Sequence, residues 1–243
     1  MCAMEFKKYE ESGNISFCFG GFPTYELLKN KPQHSKKVFV SSKLQKNDEW
    51  QKIEMLCKEH NILIEQNDKQ IERLGAKGNT FVVGVFEKYR AKVEKNQNAV
   101  VLDKPSDMGN LGTIMREMLG FGYKNLIVTK PCADFFNPKV VRASMGAIFG
   151  LDVETFESFD DFEKQNTLPL YLFMLGGTTN LSQIKGIKSP HALVFGNEAT
   201  GLPKDYAKKG VTIKIHHSTD IDSLNLGMSV GIGLYEFSKK NFE

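Results

Sequence analysis

The sequence predicts an α/β protein of two domains, the larger built on a mostly parallel sheet. Two observations carry this reading. Short apolar runs alternate with helix-length segments along most of the 243 residues, which is the pattern of strand–helix–strand crossovers packed on both faces of a sheet. Three Gly- and Asn-rich loops follow such strands, and in sheets of this kind ligands bind outside the carboxyl ends of the strands.

Taken in order, Thr24 ahead of residues 25–30 reads as the cap of a short helix. Residues 37–41 (KVFVS) read as a strand, and 48–60 as a helix whose Trp50, Ile53, Met55, Leu56 and Cys57 are apolar. Residues 62–64 and 81–86 read as further strands, the latter (FVVGVF) fit for a sheet interior. The segment 92–98 (KVEKNQN) is polar and patternless and marks a boundary between a domain of residues 1–96 and another of 97–243. The back domain opens with a strand at 99–102, a loop and a helix at 113–119. A strand at 126–129, a helix at 138–149 and a strand at 151–156 follow. After an acidic helix near 160–165 come strands at 169–175, 192–195 and 211–215, then a last helix at 225–239.

Composition excludes several classes. Hydrophobic residues at 41% and charged residues at 25% suit a soluble globular chain rather than a disordered, collagenous or coiled-coil one. No apolar run approaches the ~18–20 residues of a spanning helix, and residues 1–13, with three Glu and two Lys, lack a signal peptide's apolar stretch. A cytoplasmic location without a membrane partner is the expectation. Cys2, Cys18, Cys57 and Cys132 lie far apart without a CxxC pair, so they read as ordinary thiols of a reducing compartment. The net charge of +3 divides unevenly: residues 1–96 hold 17 Lys and Arg against 13 Asp and Glu, and residues 97–243 hold 15 against 16. A mildly basic front half suits a polyanion, and equally a solvated lysine-rich surface.

The chemistry-bearing residues gather in the three loops. The first, Asp107-Met108-Gly109-Asn110-Leu111-Gly112-Thr113-Ile114-Met115-Arg116, lacks both the dinucleotide fingerprint GxGxxG and the phosphate loop GxxxxGK. By spacing alone it is a tight strand-to-helix turn. Arg116, one turn into the expected helix, adds a guanidinium able to meet a phosphate. The second, Phe195-Gly196-Asn197-Glu198-Ala199-Thr200-Gly201-Leu202-Pro203, permits close backbone approach and offers a carboxylate, or is simply a capping turn. The third, Asp222-Ser223-Leu224-Asn225-Leu226-Gly227-Met228-Ser229-Val230, is otherwise an N-cap followed by a helix.

Together the three loops closely resemble the signature motifs of the SpoU/TrmH family of RNA ribose 2′-O-methyltransferases, in the SPOUT superfamily. The first matches DPxNxGxIxR at Asp107, Asn110, Gly112, Ile114 and Arg116, with Met108 where the family has Pro. The second matches GNExxGL. The third matches the family's Ser-Leu-Asn and Leu-Tyr-Glu pattern at Ser223, Leu224, Asn225, Leu234, Tyr235 and Glu236, with Leu226, Gly227 and Met228 in place of the usual Val-Ser-Val. Residues 137–147 resemble the family's connecting helix, and the front half, from residues 20–28 onward, resembles its small α/β substrate-binding domain.

The resemblance implies an α/β trefoil-knot methyltransferase domain, against the general rule that chains do not knot. It also implies an N-terminal RNA substrate-binding domain, S-adenosylmethionine as cofactor without a metal, and a homodimer. The RNA would be ribosomal, with transfer RNA, or a catalytically silent RNA-binding or ribosome-assembly factor, as alternatives. The cofactor would be held near Met174, Leu175, Gly176, Gly196, Asn197, Ile215, Ser223 and Leu224, and the catalytic group would be Asn110, Arg116, Glu198 and Asn225. A guanidinium does not deprotonate in a protein, so Arg116 is expected to pair with a phosphate and steady the developing alkoxide. Glu198 either accepts the proton or braces Asn110 and Arg116. His216-His217 lack companions at ligand spacing and make a poor metal site. Phe81, Phe86, Tyr89 and Trp50 suit a core, and the first three suit base stacking as well.

Overall fold

The computed structural model describes residues 6–76 and 78–239. In chain order the front elements are β1 (Ile15–Phe19), α1 (Gly21–Asn30), β2 (Ser35–Val40), α2 (Asp48–Glu59), β3 (Ile64–Gln66), α3 (Asp68–Arg73) and β4 (Val82–Glu87). Then come β5 (Ala99–Asp103), α4 (Met108–Gly120), β6 (Asn125–Thr129), α5 (Pro138–Ala143), β7 (Asp152–Phe156) and α6 (Phe159–Glu163). The last are β8 (Leu170–Phe173), β9 (Thr179–Asn180), β10 (Ala192–Phe195), β11 (Val211–Lys214) and α7 (Leu226–Ser238). These elements form two compact units. One takes the described residues up to Tyr89 together with Asp134–Gly150, and the other takes Arg90–Ala133 together with the described residues from Leu151 onward. The chain thus passes between units just ahead of the polar segment 92–98. The segment 134–150, which a linear reading assigns to the back domain, is built into the front unit.

The front unit is a four-stranded sheet in the order β1-β4-β2-β3, with β4 antiparallel to β1 and β2, and β2 parallel to β3. The period of two in β2 divides its side chains between two cores. Val38 and Val40 pack with Leu28, Trp50, Ile53 and Cys57, while Phe39 packs with Phe17, Ile71, Leu74 and Val85. Each such fully buried apolar side chain contributes about 1.5–3 kcal/mol. Burial also pushes the Cys57 thiol up to about 11, helped by Glu54. Strand β1 and helix α3 are not anticipated from the sequence. Ser16 interrupts the apolar run of β1, yet it is buried because its hydroxyl donates to the Phe136 carbonyl at 2.5 Å, a partner 120 residues away.

Two expectations are corrected here. Thr24 does not cap α1: the helix starts at Gly21, and the buried Thr24 hydroxyl donates back to the Gly20 carbonyl at 2.7 Å. The expected helix over 138–149 is broken. It ends at Ala143, Met145 and Gly146 adopt φ of 52° and 81°, and Ala147–Gly150 form a 3-10 turn. The break aims Phe149 edge-on at Phe86, at a centroid distance of 5.1 Å, with Phe136 at 5.8 Å. Those contacts hold the segment in the front unit.

The other unit is a seven-stranded, all-parallel sheet in the order β7-β6-β5-β10-β8-β11-β9. Ala99, Val101, Ile127, Leu172 and Val194 share a core with Phe159 and Phe162 of α6. Val100, Leu102, Leu126, Val128 and Leu193, which alternate with them, are just as buried. Burial on both faces is what parallel strands with helical crossovers require. No helix among the described residues is long and apolar enough to cross a membrane.

Candidate active site

Helix α4 begins at Met108 rather than at 113. The Gly and Asn content of 109–112 suggests a loop, but Asp107 supplies a cap that outweighs it: its Oδ1 accepts from the Asn110 N–H at 2.7 Å. Asn110 is therefore a first-turn helical residue, and Arg116 lies more than two turns into the helix instead of one. Asn225 caps α7 in the same way, its Oδ1 accepting from the Met228 N–H at 3.2 Å. The Asn225 Nδ2 donates to Asn110 Oδ1 at 3.0 Å, so the two helix starts are tied to each other. Space there is tight, since a Cβ on Gly227 would lie 3.3 Å from Asn225 Oδ1 and 3.7 Å from the Thr113 methyl.

The second loop holds the first. Glu198 Oε1 accepts from the Asp107 N–H at 3.1 Å, and its Oε2 accepts from the Ser106 N–H at 3.1 Å and the Ser106 hydroxyl at 2.9 Å. Partial burial pushes the Glu198 carboxyl up, but hydrogen bonds from the N–H groups of Glu198, Asp107 and Ser106 and from the Ser106 hydroxyl outweigh it. The net effect holds this group below its ordinary value. Asn197 Nδ2 donates to the Lys104 carbonyl at 2.7 Å, and its Oδ1 accepts from the Ala199 N–H at 2.9 Å. Gly196 admits no side chain, because a Cβ there would collide with the main chain of Gly201 and Leu202.

Outside the carboxyl ends of β8, β10 and β11 the second and third loops, with residues 173–176 and 213–217, line a cavity of about 550 Å³. Met174, Leu175, Gly176, Gly196, Asn197, Ile215, Ser223 and Leu224 all lie on its wall, and Glu198 joins them. Asn110, Asn225 and Arg116 do not. Asn110 and Asn225 meet each other, while Glu198 reaches the main chain leading to Asn110, not the side chains of Asn110 or Arg116. Arg116 is exposed and bonds to no described residue. Sequence reading missed Thr200, Lys204 and His217 on the same wall. Their proximity in sequence to Gly201 and Ile215 is the only signal that marks them. The His217 ring bonds the Ile215 carbonyl at 3.0 Å, and among the described residues no group of three or more His, Cys, Asp or Glu is placed to hold a metal ion.

Fold and site together define an α/β protein with a cavity outside the strand ends of a parallel sheet, backed by glycine, beside two helix starts tied by paired asparagines. Residues 97–235 match the model of the SpoU rRNA Methylase family, and the chain belongs to that family. An uncharacterized tRNA/rRNA methyltransferase of Synechocystis sp. is 31% identical over 147 residues, which is 59% of this chain and 53% of that protein. The 23S rRNA (adenosine(1067)-2'-O)-methyltransferase of Streptomyces laurentii is 26% identical over 148 residues, 59% of this chain and 55% of that one. The matches thus span about half the length of these curated relatives. Among solved structures, the AdoMet-bound rRNA methyltransferase of Sinorhizobium meliloti aligns with a TM-score of 0.79 at 25% identity, covering 93% of this chain and 88% of that one. The SpoU methyltransferase AviRb of Streptomyces viridochromogenes shares the fold, with a TM-score of 0.79 at 22% identity and coverage of 94% and 90%.

Proposed function

We propose that the chain methylates a ribose 2′-hydroxyl of RNA, ribosomal RNA in the first instance, with S-adenosylmethionine as methyl donor and no metal. One observation carries the reading: the loops of the second and third family motifs line one cavity, and Glu198 and the Asn110–Asn225 pair tie the first motif loop to them. The cavity fits the cofactor, having apolar walls at Leu175, Ile215 and Leu224 and a main-chain back at Gly196 that no Cβ could replace. Met174, Leu175, Gly176, Gly196, Asn197, Ile215, Ser223 and Leu224 would hold it. The bound cofactor supplies a methyl group already activated on a sulfonium. What remains for the protein is alignment, which alone lowers such a barrier by several kcal/mol, and the 2′-hydroxyl proton leaves to solvent. Asn225, fixed by its capping role, and Asn110, held by the Asp107 cap and by Asn225, orient the ribose. Arg116, exposed and unpaired with any carboxylate among the described residues, meets a phosphate and the charge that develops on the 2′-oxygen. Glu198 braces the Ser106–Asp107 main chain, its oxygens already engaged there.

The same reading takes the sheet-bearing back part as a trefoil-knotted domain and residues 1–96 as the RNA substrate-binding domain, and it places the reaction in the cytoplasm. The knot is supported by the sheet order, in which the late strand β10 inserts between β5 and β8. Helix α7 then packs against α4, the helix that follows β5. A homodimer is supported by the apolar side chains α7 leaves open, Met228 at 62% exposure and Tyr235 at 59%. Calorimetry with S-adenosylmethionine in excess chelator tests the cofactor, with binding expected to persist. Mapping 2′-O-methyl positions in RNA from cells with and without the gene tests the activity, and one lost position in ribosomal RNA is expected. Sedimentation at micromolar concentration tests the dimer, and a fully active monomer would overturn it.

A further inference from the structure

The front unit holds a second cavity, of about 400 Å³, that the chemistry above does not use. It lies where β1 and β2 end and β4 begins, between the start of α1, the loop after β2 and the first turn of α2. Four of its side chains are chemically unfinished. Trp50 is only 4% exposed, yet its indole N–H has no hydrogen-bond partner among the described residues, and an orphaned buried donor of this kind costs about 1–3 kcal/mol. The Glu49 carboxylate lies against Gly21, filling the space a Cβ there would need, and it bonds to no described residue. Phe81 is 38% exposed although it adjoins an apolar strand. Lys43 is exposed and forms no ion pair with a described residue.

These groups define their ligand. With Glu49 seated at the start of α1, a phosphate cannot take that helix terminus without meeting a carboxylate. A flat ligand with an acceptor beside two parallel donors satisfies the set. Of the four RNA bases only guanine has that edge: O6, then N1–H, then the 2-amino group. Uracil offers one donor flanked by two acceptors, and adenine and cytosine each place a ring lone pair next to their amino group. A cavity of this size admits a base with its ribose.

We propose that this cavity binds one unpaired guanosine of the substrate RNA. Glu49 accepts from N1–H and the 2-amino group, the Trp50 indole donates to O6, Phe81 stacks on the base and Lys43 meets the adjoining phosphate. Reading single-stranded bases by their edges on an aromatic platform is the usual route to sequence preference in RNA binding. The naming of RNA as the source rests on the methyltransferase reading above, whereas the preference for guanine rests on the cavity alone.

Trp50 is the only tryptophan of the chain, so its fluorescence reports on the cavity directly. The full chain is titrated with uridine hexamers carrying one central guanosine, adenosine, cytidine or inosine. The guanosine oligomer should quench the indole and bind at least about tenfold more tightly than the adenosine or cytidine ones. Inosine, which lacks the 2-amino group, should lose about tenfold, as expected when one half of a bidentate contact is removed. Glu49→Gln should reduce guanosine binding to the level of adenosine, leaving a weak, salt-sensitive affinity for any oligomer. Equal binding of all four, absence of quenching, or an unchanged preference in Glu49→Gln would overturn the proposal. Guanosine monophosphate binding as tightly as the oligomer would overturn the RNA source. If S-adenosylmethionine fails to bind while guanosine-dependent quenching holds, the methyltransferase reading falls and this cavity keeps its ligand.

Discussion

The two cavities both lie at strand ends, but they are built from different material. In the unit that carries the parallel sheet, apolar side chains line a cavity whose back is main chain. Gly196 is pressed against the backbone of Gly201 and Leu202, and the loops are tied by Glu198 and Asn197 to N–H and C=O groups. In the front unit the wall is side chain: an indole, a carboxylate, a phenyl ring and an ammonium. A main-chain back tolerates almost no variation, because moving a backbone moves the elements attached to it. A side-chain wall can adjust by rotamer at small cost. The first kind of site suits an invariant cofactor and the second a chosen base.

The largest expected effect belongs to Arg116. Arg116→Ala should cut the single-turnover rate by ~100-fold or more while leaving S-adenosylmethionine affinity intact, since Arg116 is not on the cavity wall. Arg116→Lys should recover only part of the rate, because an ammonium lacks the planar fork. A lysine variant restored to full rate only at high pH would instead make this position the proton acceptor. Next comes the rigidity of the main-chain back: Gly196→Val should weaken cofactor binding in calorimetry by about 1–3 kcal/mol, the ordinary cost of overpacking. Unchanged affinity would show that the wall yields, and the contrast between the cavities would be lost.

Asn225→Ala removes a helix cap and the tie to Asn110 together, so thermal unfolding should show a loss of about 1 kcal/mol, with a further fall in rate. Glu198 gives a smaller, pH-dependent effect. Its carboxyl is held below the ordinary value, so its stabilisation is complete above the unfolded pKa and is lost as pH falls through the folded one. Wild type should therefore lose thermal stability on acidification below about pH 4, and Glu198→Gln should be flatter there. A glutamine variant that flattens the rate profile near neutrality would move the proton to Glu198. The smallest effect is expected at Gly21, whose missing Cβ meets only the movable end of Glu49. Gly21→Ala should change stability by no more than ~0.5 kcal/mol, and a larger loss would mean that the front wall is as rigid as the other.

The back unit was largely legible in the sequence because its information is local. Apolar runs such as AVVL and ALVF announce strands buried on both faces, and the Gly, Asn and Glu of the loops announce where backbone must approach backbone. Residues 109–112 show the limit of that reading, since their composition says loop while the Asp107 side chain makes them helix. By itself the sequence determined the alternating α/β pattern, the three loops and the residues in them. Only the tertiary structure decided which groups meet: that Glu198 serves main chain rather than Asn110 or Arg116, that residues 134–150 complete the front unit, and that the buried Trp50 N–H finds no partner among the described residues. Periodicity and caps act over a few neighbours. A buried donor's partner, or its absence, is set by chain segments far apart in sequence, and no local pattern records it.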